Sequence, residues 1–267
     1  MILPDLQPRA FDATTPRDPF EAAMASRDGD VMGMVRQALA EGNAQLAFQP
    51  VVAAHSHQPV FHEGLVRLRD AGGRIIPAHQ FMPWVEETDL GREIDCAALR
   101  LGLDMLQDNP RLRLSLNMSA RSMGYGKWRQ ILNERLHGDR RIGERLILEI
   151  SEGSAMQLHE VVIRFMAELQ PIGVSFALDD FGGGLISFRL LKDFYFDMVK
   201  IDAGYTSGIE ASPDNQVLAE ALITVAHQFE MFAVAAGVET IAEVEMLQSL
   251  GVDCLQGYHF GVPKFTL

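Results

Sequence analysis

Val174-Ser175-Phe176-Ala177-Leu178-Asp179-Asp180-Phe181-Gly182-Gly183-Gly184 joins a short apolar run to two adjacent acids and a run of glycines. The apolar part has the length of a buried strand and is too short for a buried helix. Seven more runs of this kind follow the same grammar, at 46–52, 60–68, 112–118, 146–150, 198–201, 232–236 and 253–258. Helical spacing fills most of the gaps, at 78–88 and 93–107, then 128–136, 158–169, 185–193, 215–229 and 241–250. Strand–helix alternation repeated this often predicts an α/β fold with a parallel sheet. Eight strands in 267 residues match the roughly 250 residues of a TIM-type (β/α)8 barrel. The first two strands are separated only by His55-Ser56-His57-Gln58-Pro59. That length suits a hairpin and not a parallel crossover, so the first strand is expected to run antiparallel. His55 and His57 are read as part of a polar turn.

Residues 1–28 are rich in Pro, Asp, Thr and Arg and lack periodicity. They are expected as a flexible lead-in, with 29–267 as one barrel domain. Val31, Met34, Val35 and Leu39 have helical spacing, and Gly42 is a plausible stop. The N-terminus carries no basic stretch followed by an apolar core. No apolar run approaches a membrane span, and two cysteines cannot build a disulfide framework. A soluble, cytoplasmic protein without a membrane partner is expected. The formal net charge of −13 argues against a DNA or RNA polymer as partner, because such binding needs a basic face.

Polar residues recur at strand ends. Asn117 follows the alternating Leu112, Leu114 and Leu116, and Glu149 follows Leu146-Ile147-Leu148. Lys200 and Asp202 flank Ile201, and Glu63 and Arg67 share a face of the second strand. A barrel gathers such ends on one face, where barrel active sites lie. Glu63, Asn117, Glu149, Asp179, Asp180, Lys200 and Asp202 are therefore expected around one hollow. Five acids against one lysine cannot all ionise without counter-charge. Two divalent cations would neutralise the set, and oxygen ligands suit Mg²⁺ or Mn²⁺. A paired-metal site suits phosphoester hydrolysis.

At this point Glu63-Gly64-Leu65-Val66-Arg67 resembles the Glu-x-Leu-x-Arg signature of EAL domains, the phosphodiesterases of bacterial cyclic-di-GMP signalling. Further motifs follow in family order: Asn117-Met118-Ser119, Glu149-Ile150-Ser151-Glu152, Asp179-Asp180-Phe181-Gly182, Lys200-Ile201-Asp202, Gly237-Val238-Glu239-Thr240 and Gln256-Gly257-Tyr258. The resemblance implies metal-dependent hydrolysis of cyclic-di-GMP to linear pGpG. It makes Glu63, Asn117, Glu149, Asp179, Asp180 and Asp202 metal ligands for two ions. It makes Lys200, Glu63, Asp179 and Glu239 catalytic, and Gln49, Arg67 and Gln256 substrate-binding. Glu152 becomes the anchor of the loop after the strand that opened this section. Asp95 reads equally as a solvated helix residue and as a site member. Relatives of this kind form homodimers, and Phe188, Leu190, Leu191, Phe194 and Phe196 are a candidate apolar contact.

The chain departs from the family at Ala235-Ala236-Gly237-Val238-Glu239. Ala236 stands where the family has a glutamate proposed as a general base. Gly183 stands where threonine is usual. An alanine accepts no proton, and loss of a positioned base costs about 10²–10⁴-fold in rate. The alternative is therefore an inactive domain that binds the dinucleotide or a protein partner. A barrel enzyme with Lys200 as a Schiff-base lysine is disfavoured, since the acids around it would keep it protonated.

Overall fold

The computed structural model describes residues 19–184 and 188–267, with side chains described for 29–184 and 189–267. Nine strands are present among the described residues: β1 (Ala44–Ala53), β2 (Pro59–Arg69), β3 (Ile75–Pro77), β4 (Leu114–Asn117), β5 (Leu146–Ser151), β6 (Ser175–Phe181), β7 (Met198–Ile201), β8 (Phe232–Ala235) and β9 (Cys254–Gln256). All except β3 close into a barrel in the order β1-β2-β4-β5-β6-β7-β8-β9 and back to β1. β1 runs antiparallel to both of its neighbours, and the remaining barrel pairings are parallel. The expected barrel and its reversed first strand are both present.

The helices are α1 (Pro19–Ala40), α2 (Met82–Val85), α3 (Asp89–Asp108), α4 (Gly126–Gly138), α5 (Glu152–Gln157), α6 (His159–Leu169), α7 (Phe188–Leu191), α8 (Ala203–Thr206), α9 (Pro213–Gln228) and α10 (Ile241–Ser249). Their starts follow local chemistry. Thr88 accepts from Leu90 N at 3.2 Å to cap α3. Thr240 and Glu243 form a reciprocal capping box on α10. Ser212 caps α9, with Pro213 at its first turn.

Three expectations need correction. α1 begins at Pro19, so residues 19–28, expected as lead-in, are helical; Ala22, Ala23, Met24 and Ala25 favour helix strongly. Residues 1–18 lie outside the described residues. The helix expected at 78–88 is instead a 3-10 turn, Ala78–Gln80, followed by the single turn α2. Pro83 has no N–H to donate and its ring crowds the carbonyl four residues back, so a helix starting at Ala78 cannot run through it. The expected apolar dimer contact is also mostly core: Leu191, Phe194 and Phe196 are buried. Leu190 is half-buried, and the side chain of Phe188 is outside the described set.

The core lies in layers. One layer packs the outer faces of the strands against the helices, with Leu114, Leu116, Leu146, Leu148, Phe165 and Phe176 in one cluster. A second fills the barrel interior with Val51, Phe61, Ile147, Ala177, Met198 and Val234. A third joins α1 to the extended β2 tip, where Val35 and Ala38 meet Leu68, Ile76, Phe81 and Ile94. The interior layer closes the barrel below the carboxyl ends of its strands, which leaves that end for polar residues. No helix among the described residues is long and apolar enough to cross a membrane.

Candidate active site

Side chains alternate across a strand, so β4 sends Leu114 and Leu116 to the helices and Ser115 and Asn117 inward. Its register sets Asn117 beside Glu149 on β5, and Ser151 beside Asp179 on β6. On the antiparallel side, Gln49 of β1 pairs directly with Glu63 of β2, and Val51 with Gln256 of β9. Six strands thus deliver polar groups to one level.

Lys200 is the centre of that level. Its Nζ lies 2.9 Å from Glu63 Oε2, 2.6 Å from Glu149 Oε2 and 3.4 Å from Asp179 Oδ1, and the lysine is 3% exposed. Glu63 also accepts from Asn117 Nδ2 at 2.6 Å and from Gln256 Nε2 at 2.6 Å. Gln256 reaches Gln49 Oε1 at 3.4 Å, and Gln49 donates to the Gly261 carbonyl at 3.1 Å. Burial alone would discharge the lysine. Asp179, Glu149 and Glu63 outweigh it and hold the Lys200 pKa well above its usual value. Burial also penalises the Glu63 anion, but Lys200, Gln256 and Asn117 together bring its pKa below the ordinary carboxylate range. Glu149 has one oxygen on Lys200, while its buried Oε1 has no hydrogen-bond partner. Burial, then the charge of Glu63, pushes Glu149 up to about 8. Asp180 rises to about 6, through burial and then the charges of Asp179 and Asp202.

These residues fit a divalent cation in two respects. The donors are hard oxygens, and the orphaned Glu149 Oε1 together with the reluctant acids marks a shortage of positive charge. As the side chains stand, no three His, Cys, Asp or Glu among the described residues close on a common point. The Lys200 ammonium occupies the middle of the carboxylates instead.

The other expected residues are placed differently. Asp202 is turned to cap α8, with Oδ1 accepting from Gly204 N at 2.8 Å. A Cβ on Gly183 would come within 3.0 Å of the Asp202 carboxyl carbon, so the glycine permits that close approach. Arg67 is half-buried and donates to the Val66 carbonyl at 3.0 Å. Glu239 is exposed at the rim beside Ala236, whose carbonyl accepts from the Thr206 hydroxyl. Glu152 is buried, and its Oε2 accepts from Gly182 N at 2.9 Å. Tyr205 holds the Gly182 carbonyl at 2.7 Å. The loop base is therefore fixed at one glycine from two sides. Asp180 has φ +56° there, a left-handed conformation that Asp tolerates better than most residues. Residues 185–187 of the loop lie outside the described residues.

Two hollows meet at Glu63, Asp179 and Asp180. One of about 380 Å³ is lined by Gln49, Lys200, Ala236, Glu239, Gln256 and Tyr258. The other, of about 480 Å³, runs between β2, α2 and α3 past Met82, Glu86, Asp95, Asn117 and Ser119. Sequence reasoning left Asp95 undecided. It is buried, accepts from Ser122 Oγ at 2.6 Å and Ser119 N at 3.0 Å, and burial pushes it up to about 7. Its position between Ile94 and Cys96 on the apolar face of α3 was the signal available.

The profile of the EAL domain family matches residues 32–263. The chain is 29% identical over 254 residues to the bifunctional diguanylate cyclase/cyclic di-GMP phosphodiesterase MucR of Pseudomonas aeruginosa, covering 91% of this chain and 37% of that one. It is 27% identical to the cyclic di-GMP phosphodiesterase PdeF of Escherichia coli, covering 88% and 32%. The chain thus spans about a third of the length of these curated relatives. Among solved structures, the MucR phosphodiesterase in complex with c-di-GMP superimposes with a TM-score of 0.77 at 28% identity, over 88% of this chain and 97% of that one. The FimX EAL domain of Pseudomonas aeruginosa bound to c-di-GMP gives 0.81 at 25% identity, over 89% and 98%.

Proposed function

The chain belongs to the EAL domain family, and from that premise we propose that it is a phosphodiesterase that opens cyclic-di-GMP to linear pGpG. The observation that carries this reading is the Lys200-centred cluster of Glu63, Glu149 and Asp179, set where two hollows join. A cyclic dinucleotide has two bases flanking a phosphodiester core, and two hollows on either side of one charged centre suit that outline.

Glu63, Asn117, Glu149, Asp179, Asp180 and Asp202 would hold two Mg²⁺ or Mn²⁺ ions. When bound, these supply Lewis acidity to the phosphate and make the attacking water acidic enough to react near neutral pH. The protein's own residues do the positioning. Lys200 carries a permanent positive charge at the point where a phosphate oxygen gains negative charge. Gln256 and Asn117 fix the Glu63 carboxylate, and Gln49 fixes Gln256, so the centre is preorganised before substrate arrives. Arg67, two pleat repeats beyond Glu63 on the same face of β2, would reach a phosphate with its planar fork once released from the Val66 carbonyl. Hydrolysis forms a bond from water oxygen to phosphorus and breaks the bond from phosphorus to the ribose 3′ oxygen, which leaves with a proton.

Ala236 favours a second reading, in which the domain binds the dinucleotide without turning it over. Its methyl group lines the smaller hollow where the family usually carries a carboxylate, so that wall offers no proton acceptor at this position. Calorimetric titration with cyclic-di-GMP and chromatography of the products formed with Mn²⁺, run on one preparation, separate the two. Binding with accumulating pGpG supports the enzyme. Binding without product over hours overturns it in favour of a receptor.

A further inference from the structure

α8 follows β7 directly, and β7 lies between β6 and β8 in the barrel. A single helical turn makes too few hydrogen bonds to hold itself together, so its place depends on what it touches. It touches the main chain of both neighbouring loops. The Tyr205 hydroxyl donates to the Gly182 carbonyl at 2.7 Å, on the β6 side. The hydroxyl of the next residue, Thr206, donates to the Ala236 carbonyl on the β8 side, with the Ala203 carbonyl a poorer acceptor at 3.4 Å. Thr206 is fully buried. Two consecutive side chains thus reach in different directions, one to each loop.

Packing repeats the pattern. A Cβ on Gly182 would come within 2.9 Å of the Tyr205 ring, and a Cβ on Gly237 within 2.7 Å of the Ala203 methyl carbon. Both glycines have left-handed φ, +92° and +75°, so at each point bare backbone turns against α8. Glu152 holds the Gly182 amide from the other side. Three glycines in a row offer no side chain, so the place of this loop base rests on main-chain bonds to Glu152 and Tyr205. The turn is tied to the candidate site at its start as well. Asp202 caps it through Gly204 N, and Asp202 N donates to the Phe181 carbonyl at 3.1 Å.

We propose that Tyr205 and Thr206 are positioning residues that tie the loop bases after β6 and β8 to one turn of helix. The Asp202 carboxylate, the Gly182–Gly184 base and the Ala236–Glu239 wall then take up their places as one unit. A hydroxyl that served only its own loop would have no effect across α8. A shared turn transmits the loss of either bond to both sides. Only the kinetic part of the test rests on the phosphodiesterase reading.

Amide hydrogen exchange of the full chain, free of ligand, tests the inference on Tyr205→Phe and Thr206→Val, each of which removes a hydroxyl and keeps the shape. Tyr205→Phe should speed exchange at Gly182–Gly184 by about fivefold. Thr206→Val should do the same at Val238–Thr240, whose amides bond to the Gln256 carbonyl and to Glu243. Each variant should also speed exchange in the loop it does not touch, by about twofold or more. Amides within β5 and β7 should keep their wild-type rates. With cyclic-di-GMP and Mn²⁺, Tyr205→Phe should raise KM by about fivefold with a smaller loss of kcat. Absence of pGpG from the wild type would count against the phosphodiesterase alone and leave the exchange result standing. Unchanged exchange at Gly182–Gly184 in Tyr205→Phe, a change confined to the altered residue's own loop, or an equal rise throughout β5 and β7 overturns the inference.

Discussion

The two walls of the candidate site differ sharply. On the β2–β4–β5–β6 wall, Glu63, Glu149 and Asp179 converge on Lys200, and Asn117 holds Glu63. On the β7–β8 wall, Asp202 is turned to cap α8, Ala236 presents a methyl group, and Glu239 faces solvent at the rim. The difference is positional. Residues inside a strand inherit the inward direction of the pleat, while residues just past its end are free to satisfy helix N–H groups. The first wall therefore holds its geometry by the barrel's own register. The second depends on side-chain identity, and there the chain departs from its family.

Four measurements break or sharpen that contrast. The largest effect is expected on the ordered wall. Glu63→Ala removes the acceptor shared by Lys200, Asn117 and Gln256, and should lower the turnover of cyclic-di-GMP by at least about 10²–10⁴-fold. Circular dichroism should still report a folded barrel, because Glu149 and Asp179 continue to partner Lys200. Next comes the deficient wall: Ala236→Glu should raise kcat by about 10²-fold with little change in KM. If that variant is no faster, position 236 is not the missing base. A smaller loss is expected at the loop base. Glu152→Gln weakens a charged acceptor on Gly182 N, of a type that contributes about 1.5–3 kcal/mol. It should raise KM more than it lowers kcat, with proteolysis near Gly184 as an independent readout.

The smallest effect concerns pH and stability at Asp95. Burial holds its folded pKa at about 7, above the ordinary 3.8, so the folded protein keeps a proton that the unfolded chain has already lost. The contribution is complete below about pH 4 and disappears as pH rises to about 7. The melting temperature of wild type should therefore fall more steeply over that range than that of Asp95→Asn, by about 2–4 °C for each kcal/mol the bound proton contributes. Equal slopes would show that Asp95 does not carry the proton.

The same positional logic explains what was legible in the sequence. Eight strands could be read because each is a short apolar run between helical spacings, and the acids at their ends followed from period-two alternation. β3 could not be read, since Ile75-Ile76-Pro77 is extended only through pairing with the tip of β2. The break in the helix expected at 78–88 was visible in Pro83. Glu63, Asn117, Glu149, Asp179 and Lys200 come together as their strand positions require. Asp202 caps Gly204 N two residues on, and Asp95 lies between Ile94 and Cys96 on the apolar face of α3; both local signals pull against the metal-ligand and solvated readings, while the bonds Asp95 accepts from Ser119 and Ser122 depend on tertiary packing that the sequence does not display. The start of α1 at Pro19 was missed because the Pro, Asp, Thr and Arg before it masked the helix-favouring Ala22-Ala23-Met24-Ala25.

The most direct test of the central claim is chromatographic detection of pGpG from cyclic-di-GMP, with micromolar enzyme and Mn²⁺, comparing wild type with Glu63→Ala. The Lys200-centred site predicts pGpG accumulating with the wild-type protein and none above background with the variant. Equal product from both, or none from either, would contradict it.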